Sequence, residues 1–202
     1  MGKSDLRLAF PLLWSMEAKM NIQLEEILNR IITKDNRIVL QAIRELRDRG
    51  WLEDGSLQGA AFCKAYLHNA SLEKAILCCA GFHQANLSWA NLSGADLRAA
   101  KLSLCDLSGS NMENTKLDSA DLYKANLRGV RNLKDEQLHK VSRLCGAIMP
   151  NGELYDGRFE LSGDLALAEW QNIDITDPEA MAEFYGVPIE VYQLEKTARV
   201  PL

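Results

Sequence analysis

A step of five from Leu57 lands on a large apolar side chain fifteen times in succession, through Phe62, Leu67 and Leu72 to Leu122 and Leu127. The residue two before each of these is always small: Gly55, then Ala60 and alanine through Ala100, then Cys105, Ser110, Thr115, Ala120 and Ala125. Self-similarity at a fixed period over residues 55–129 marks a repeat architecture.

Few backbones obey a period of five. Five residues turn an α-helix by about 500°, so the leucines would scatter round its axis. A continuous strand alternates its side chains with period two, so an odd step flips each leucine to the opposite face. Both registers share one interior only if each unit is a short strand followed by a bend that resets the alternation. Such sides in series make a polygonal coil that stacks on itself, with leucines filling the tube and small residues letting the walls approach.

The run "ANLSWANLSGADLRAAKL" resembles the pentapeptide-repeat family, whose pattern is A-(D/N)-L-x-x. The resemblance covers 75 of 202 residues and implies a right-handed, four-sided β-helix of twenty residues per coil. Phe62 and Phe82, the two aromatic centres, then fall on one side, one coil apart. Ile76, Gly81, Lys101 and Lys116 depart from Asp or Asn at a position that points outward. Fifteen units give just under four coils, a shaft roughly 18 Å long at about 4.8 Å per coil.

An open β-helix ends in unpaired strand edge and exposed leucines, so both ends need cover. Upstream, Ile22, Leu24, Ile27, Leu28 and Ile31 predict an amphipathic helix over 21–34. Asp35 is an N-cap for a second helix over 36–49, with Ile38, Val39, Ala42, Ile43 and Leu46 as its buried stripe and Gly50 as its stop. Downstream, the register fades beyond Leu127 and a helix is predicted over 134–144. Asn151-Gly152 predicts a hairpin and Asp156-Gly157 a second turn. Helices follow over 164–171, from Asp177-Pro178-Glu179 to Tyr185, and over 188–196. This tail is similar to those that follow the repeats in many cyanobacterial members, a likeness that brings no activity with it. The chain thus reads as mainly β: a quadrilateral β-helix over 55–131, an α-helical N-terminal cap over 1–54, and a small mixed, mostly helical C-terminal extension over 132–202.

Charge and composition narrow the function. The shaft carries six acidic and seven basic residues, whereas 130–202 carry thirteen and seven. Five cysteines without a CxxC pair suggest a reducing compartment. No apolar run of 18 residues is present, so no membrane span is expected. The stretch from Leu8 to Trp14 resembles an export leader only in part, because Pro11 interrupts it, Glu17 and Lys19 follow, and no A-x-A site appears. A cytoplasmic, bacterial setting is expected. Zinc needs four convergent ligands. Cys63 and His83, at equivalent positions one coil apart, supply two, with Cys78, Cys79 and His68 elsewhere. His68, His83 and His139 stand in no recognisable catalytic setting, and the pairs Asp106 with Asp121 and Glu73 with Glu113 would stand on a convex shaft. Neither enzymatic activity nor a cofactor is expected. The segment "MAEFYGVPIEVYQLEK" resembles a helix-turn-helix locally, but Glu190 and Glu195 outweigh Lys196, so nucleic acid is not a partner.

A protein partner remains. Counting sides by fours puts Tyr66, His68, Trp89 and Arg128 outward on one side, with Leu104 at its edge. Exposed Trp, Tyr and Arg are the usual hot-spot residues. The expectation is a non-catalytic binding module or scaffold, with dimerisation through the C-terminal extension left open. The alternative comes from the resemblance: some pentapeptide-repeat proteins protect DNA gyrase from inhibitors with acidic shafts that imitate the duplex. The near-neutral shaft speaks against it.

Overall fold

The computed structural model describes residues 20–197; the lead over 1–19, including Leu8 to Trp14, lies outside them. Single residues five apart pair in parallel with the residue twenty further on. Ala61–Gly81, Tyr66–Asn86, Ser71–Asn91 and Ile76–Asp96 open four such ladders, one per side of the coil. All fifteen repeat centres are buried, and so are the small residues from Ala65 on. The Phe62 and Phe82 rings stack with centroids 5.0 Å apart.

One expectation is corrected. Among the described residues no bridge extends into a strand, so the chain is not mainly β in the sense of runs of strand. Each side offers one bridging residue before the next corner interrupts the pairing. The corner has one geometry throughout: the residue two after every centre is left-handed, with φ between 54° and 70°. Four of these fifteen are glycine; the others include Lys64, Asn69, Trp89 and Leu104. The small residue closes the turn on the centre, as when Ala65 N donates to Phe62 O at 3.1 Å. A left-handed third position is the φ pattern of a type II turn. Non-glycine residues hold it because their N–H donates to the coil above, as Lys64 N does to His83 O at 2.9 Å.

The hydrogen bonds also explain the Asp or Asn that precedes seven of the fifteen centres. In the unit 86–90, the N–H groups of Asn86, Leu87, Trp89 and Ala90 all reach backbone carbonyls. The fifth, Ser88 N, donates to the Asn86 side chain at 2.9 Å. Asn91, Asp96, Asp106, Asn111, Asp121 and Asn126 each accept in the same way from the residue two ahead. Short Asx side chains favour this local bond.

Upstream lie α1 (residues 20–31) and α2 (Asn36–Asp48). The Asp35 side chain accepts from Arg37 N at 2.9 Å, and Gly50 at φ 75° follows the helix. Val39, Ala42, Ile43 and Leu46 join one continuous core with Trp51, Leu52 and Leu57. Ile22 and Ile38, expected in the buried stripes, are exposed at their flanks. At this edge Leu52 O accepts from Ile76 N at 2.7 Å, and the Arg47 guanidinium donates to Ser71 O at 2.7 Å.

Downstream the ladder does not stop at Arg131. It slips by two residues, to Asp121–Arg143 and Asn126–Ile148, and adds two sides centred on the buried Leu144 and Met149. The slack holds α3 (Asp135–Leu138), much shorter than the helix expected over 134–144. Gln137 ties it to the coil below, donating to Thr115 O at 2.7 Å, while Leu138 is buried. Pairing with the shaft claims the residues that helical periodicity alone assigns to α3. The chain then doubles back through Asn151-Gly152, pairing Leu154 antiparallel with Ile148. The tail consists of α4 (Ser162–Trp170), α5 (Pro178–Tyr185) and α6 (Ile189–Thr197). Asp177 caps α5, accepting from Glu179 N at 2.9 Å, and left-handed Gly186 ends it.

Candidate functional site

The stacking register orders the predicted surface into columns. Tyr66, half exposed, begins the bridge column that continues through Asn86, Asp106 and Asn126. His68 begins the next column, and its Nδ1 pairs with Ser88 Oγ at 2.8 Å. Ser88 Oγ in turn donates to Asn86 Oδ1 at 2.6 Å. Arg128 stands in the same column three coils from His68, about 14 Å away. Its Nε lies 3.5 Å from where a Cβ on Gly152 would stand, so it leans toward the hairpin. Trp89 occupies a left-handed corner, is 59% exposed, and lies with its ring flat on Gly109, one coil above. Leu104 is exposed at the neighbouring corner. Tyr66, His68, Trp89 and Leu104 thus lie within three successive coils, and Arg128 is set apart.

The possible reactive groups do not converge. Cys63 Sγ faces Gly81 O at 3.8 Å, while His83 Nδ1 pairs with Ser103 Oγ at 2.9 Å. Among the described residues no three His, Cys, Asp or Glu side chains gather as a metal site would need. Asp106 accepts from Ser108 N and from Asn126 Nδ2, and Asp121 pairs with Arg143. The Arg98 guanidinium holds Asp96 well below the usual carboxylate range. Cys105 fills an alanine slot, and burial pushes its thiol far up. Among the described residues no helix is long and apolar enough to cross a membrane.

Asp164, at the downstream end, is buried and escaped the sequence reading. Leu144 N and Cys145 N, on the last coil of their side, donate to its carboxylate at 3.1 and 2.9 Å. One coil below, Leu122 N donates to the carbonyl of Arg143. The carboxylate of α4 thus stands where a further coil would supply its carbonyl. Burial pushes its pKa up to about 6, against those two N–H groups and Arg143. The tail packs around it through Tyr155 and Tyr185, whose rings meet edge-on at 5.5 Å. The left-handed corners were legible in hindsight: Gly59, Gly94, Gly109 and Gly129 all share that register. For Asp164 a single acid in a helical tail gave no such mark. The shaft interior is filled, as expected, but open clefts form where the flanking helices meet it. One, of about 700 Å³, lies between Ile32, Lys34 and Tyr66.

The family model described as pentapeptide repeats, itself eight copies long, matches twice, over residues 56–94 and 90–129. Residues 56–129, a little over a third of the chain, form a pentapeptide-repeat segment. No curated protein matches the chain. Among solved structures, a pentapeptide repeat protein from the Arabidopsis thaliana thylakoid lumen is 29% identical over 46% of this chain and 60% of its own, with a TM-score of 0.38. HetL, a pentapeptide repeat protein involved in heterocyst differentiation regulation from Nostoc sp. strain PCC 7120, is 30% identical over 48% of this chain and 63% of its own, with a TM-score of 0.29. QnrB1, a plasmid-mediated fluoroquinolone resistance protein, is 24% identical over 46% of this chain and 50% of its own, with a TM-score of 0.32. The chain therefore spans less than two thirds of the length of each of these solved proteins. The twenty-residue coil implied by the pentapeptide pattern agrees with the four ladders of parallel bridges.

Proposed function

We propose that this protein is a non-catalytic binding module or scaffold that engages another protein. Residues 1–54 and 132–202 then serve as the two ends of the shaft, the latter adding two sides before its helices close over them. The observation that carries the reading is the placement of Trp89 and Leu104. Both are large apolar side chains, exposed, at left-handed corners. Large exposed apolar groups beside Tyr66 fit the anchors of a protein interface. DNA mimicry has weaker support, because Asp96 and Asp121 sit in ion pairs with Arg98 and Arg143 and no uninterrupted acidic row results.

Affinity capture from a cyanobacterial or other bacterial lysate, with Trp89→Ala and Tyr66→Ala baits beside the wild type, tests this. A partner held by the wild type and weakened about tenfold or more by Trp89→Ala is expected. Partners that bind both variants as well as the wild type would remove this face from consideration. Clear protection of gyrase supercoiling from an inhibitor would favour mimicry instead.

A further inference from the structure

A cleft of about 660 Å³ separates the last corner of the shaft from α4 and α5. Its shaft wall is made by Tyr123, Lys124 and Gly146, and its tail wall carries Leu167, Phe184 and Glu183. The volume suits a small molecule.

Two groups on the shaft wall are unspent. At every lower corner of this column the N–H donates upward: Lys64 to His83 O, Gln84 to Ser103 O, Leu104 to Tyr123 O and Lys124 to Cys145 O. Gly146 is the last corner of the column, at φ 72°, and its N–H has no acceptor among the described residues. Its neighbours Leu144 and Cys145 give theirs to Asp164. The second group is Lys124. A Cβ on Gly146 would meet the Lys124 Cγ at 2.8 Å, so the lysine stem crosses that glycine at close range. Its ammonium lies 5.1 Å from the centroid of the Tyr123 ring, and no carboxylate among the described residues pairs with it. An unpaired N–H on one cleft wall with a lysine whose stem crosses it calls for an anionic acceptor. The tail wall differs in chemistry: Leu167, Ile173 and Phe184 are apolar, and Glu183 and Asp174 are acidic. Asp174 is engaged by Thr176, which leaves Glu183 as the unengaged carboxylate of the two.

We propose that this cleft binds a small zwitterion of the amino-acid class. Its carboxylate takes the Gly146 N–H and the Lys124 ammonium, its apolar side chain lies against Phe184 and Leu167, and its ammonium faces Glu183. Both charges of the ligand are needed, because Glu183 repels a bare anion and Lys124 repels a bare amine.

The test is an amide-resolved NMR titration of the full chain with L-phenylalanine, 3-phenylpropionate and phenethylamine. The expected result is a saturable shift of the Gly146 amide with phenylalanine. Each half-charged relative should bind about tenfold more weakly, the loss of one charge-assisted contact. Lys124→Met keeps the stem over Gly146 and should weaken phenylalanine about tenfold with the melting temperature retained. Should that variant not fold, Glu183→Gln, at an exposed position, carries the same comparison. Absence of a saturable Gly146 shift at millimolar phenylalanine overturns the proposal. So does equal binding of all three probes, or wild-type affinity in a folded variant.

Discussion

A single carboxamide does more in this fold than its outward position suggests. Where an Asp or Asn precedes the centre it reads from sequence as a solvated residue, yet it satisfies the one N–H per unit that the ladders leave over. Gly81 holds this position without such a group. A Cβ there would meet only Cys63 Sγ, at an ordinary 3.5 Å, so a side chain fits. Gly81→Asn should gain the bond to His83 N and reduce the freedom of the unfolded chain. About 1 kcal/mol of added stability is expected, read as a melting temperature raised by a few degrees. An unchanged melt would mean that the Asx bond contributes nothing net to the shaft.

At the scale of one side of the coil, neighbouring residues take opposite fates. Leu92 is fully buried and Ser93 lies partly in solvent. Leu92→Lys places a charge in the tube and should unfold the shaft, whereas Ser93→Lys should stay within about 0.5 kcal/mol of the wild type. Similar thermal melts of the two would contradict the inward and outward assignment. This much was legible in the residues, because a five-residue period leaves one geometry that keeps every leucine dry. Less legible was where the shaft ends. The slip of two after Arg131 lets Leu144 and Met149 resume a register that looks lost at Leu133, and no local pattern announces it. The closing carboxylate of Asp164 depends on contacts that only the folded tail creates. Its pKa is raised from 3.8 to about 6, so the folded state holds that proton more tightly than the unfolded one. The resulting stability is fully present below the unfolded value and is lost as pH climbs through the folded one. Asp164→Asn removes this dependence while keeping an acceptor for Leu144 and Cys145. Relative to the wild type it should gain about 2–3 kcal/mol between pH of about 4 and about 8, measured by urea unfolding. Parallel pH profiles for the two proteins would refute the raised pKa. The candidate surface was legible as a side of the coil but not as a patch: Tyr66, His68 and Trp89 fall on adjacent coils, while Arg128 leans away toward Gly152.

Over the whole molecule, length is counted in twenties. Removing residues 87–106 joins Asn86 to Leu107 and restores every ladder one coil shorter, by about 4.8 Å. That deletion should fold with a lower melting temperature and an unchanged circular dichroism shape. Removing only 87–89 puts residues from the wrong register into the tube and should abolish the cooperative transition. If both deletions melt alike, stacking register does not govern this fold. The corners have a longer reach. Lysine, tryptophan, leucine, asparagine and serine already stand at the same left-handed φ in this chain, each with its N–H claimed by the coil above wherever one follows. The corner therefore accepts nearly any letter on similar terms. Mutation can rewrite these vertical rails one codon at a time while the interior stays untouched, so new recognition can evolve here without renegotiating the fold.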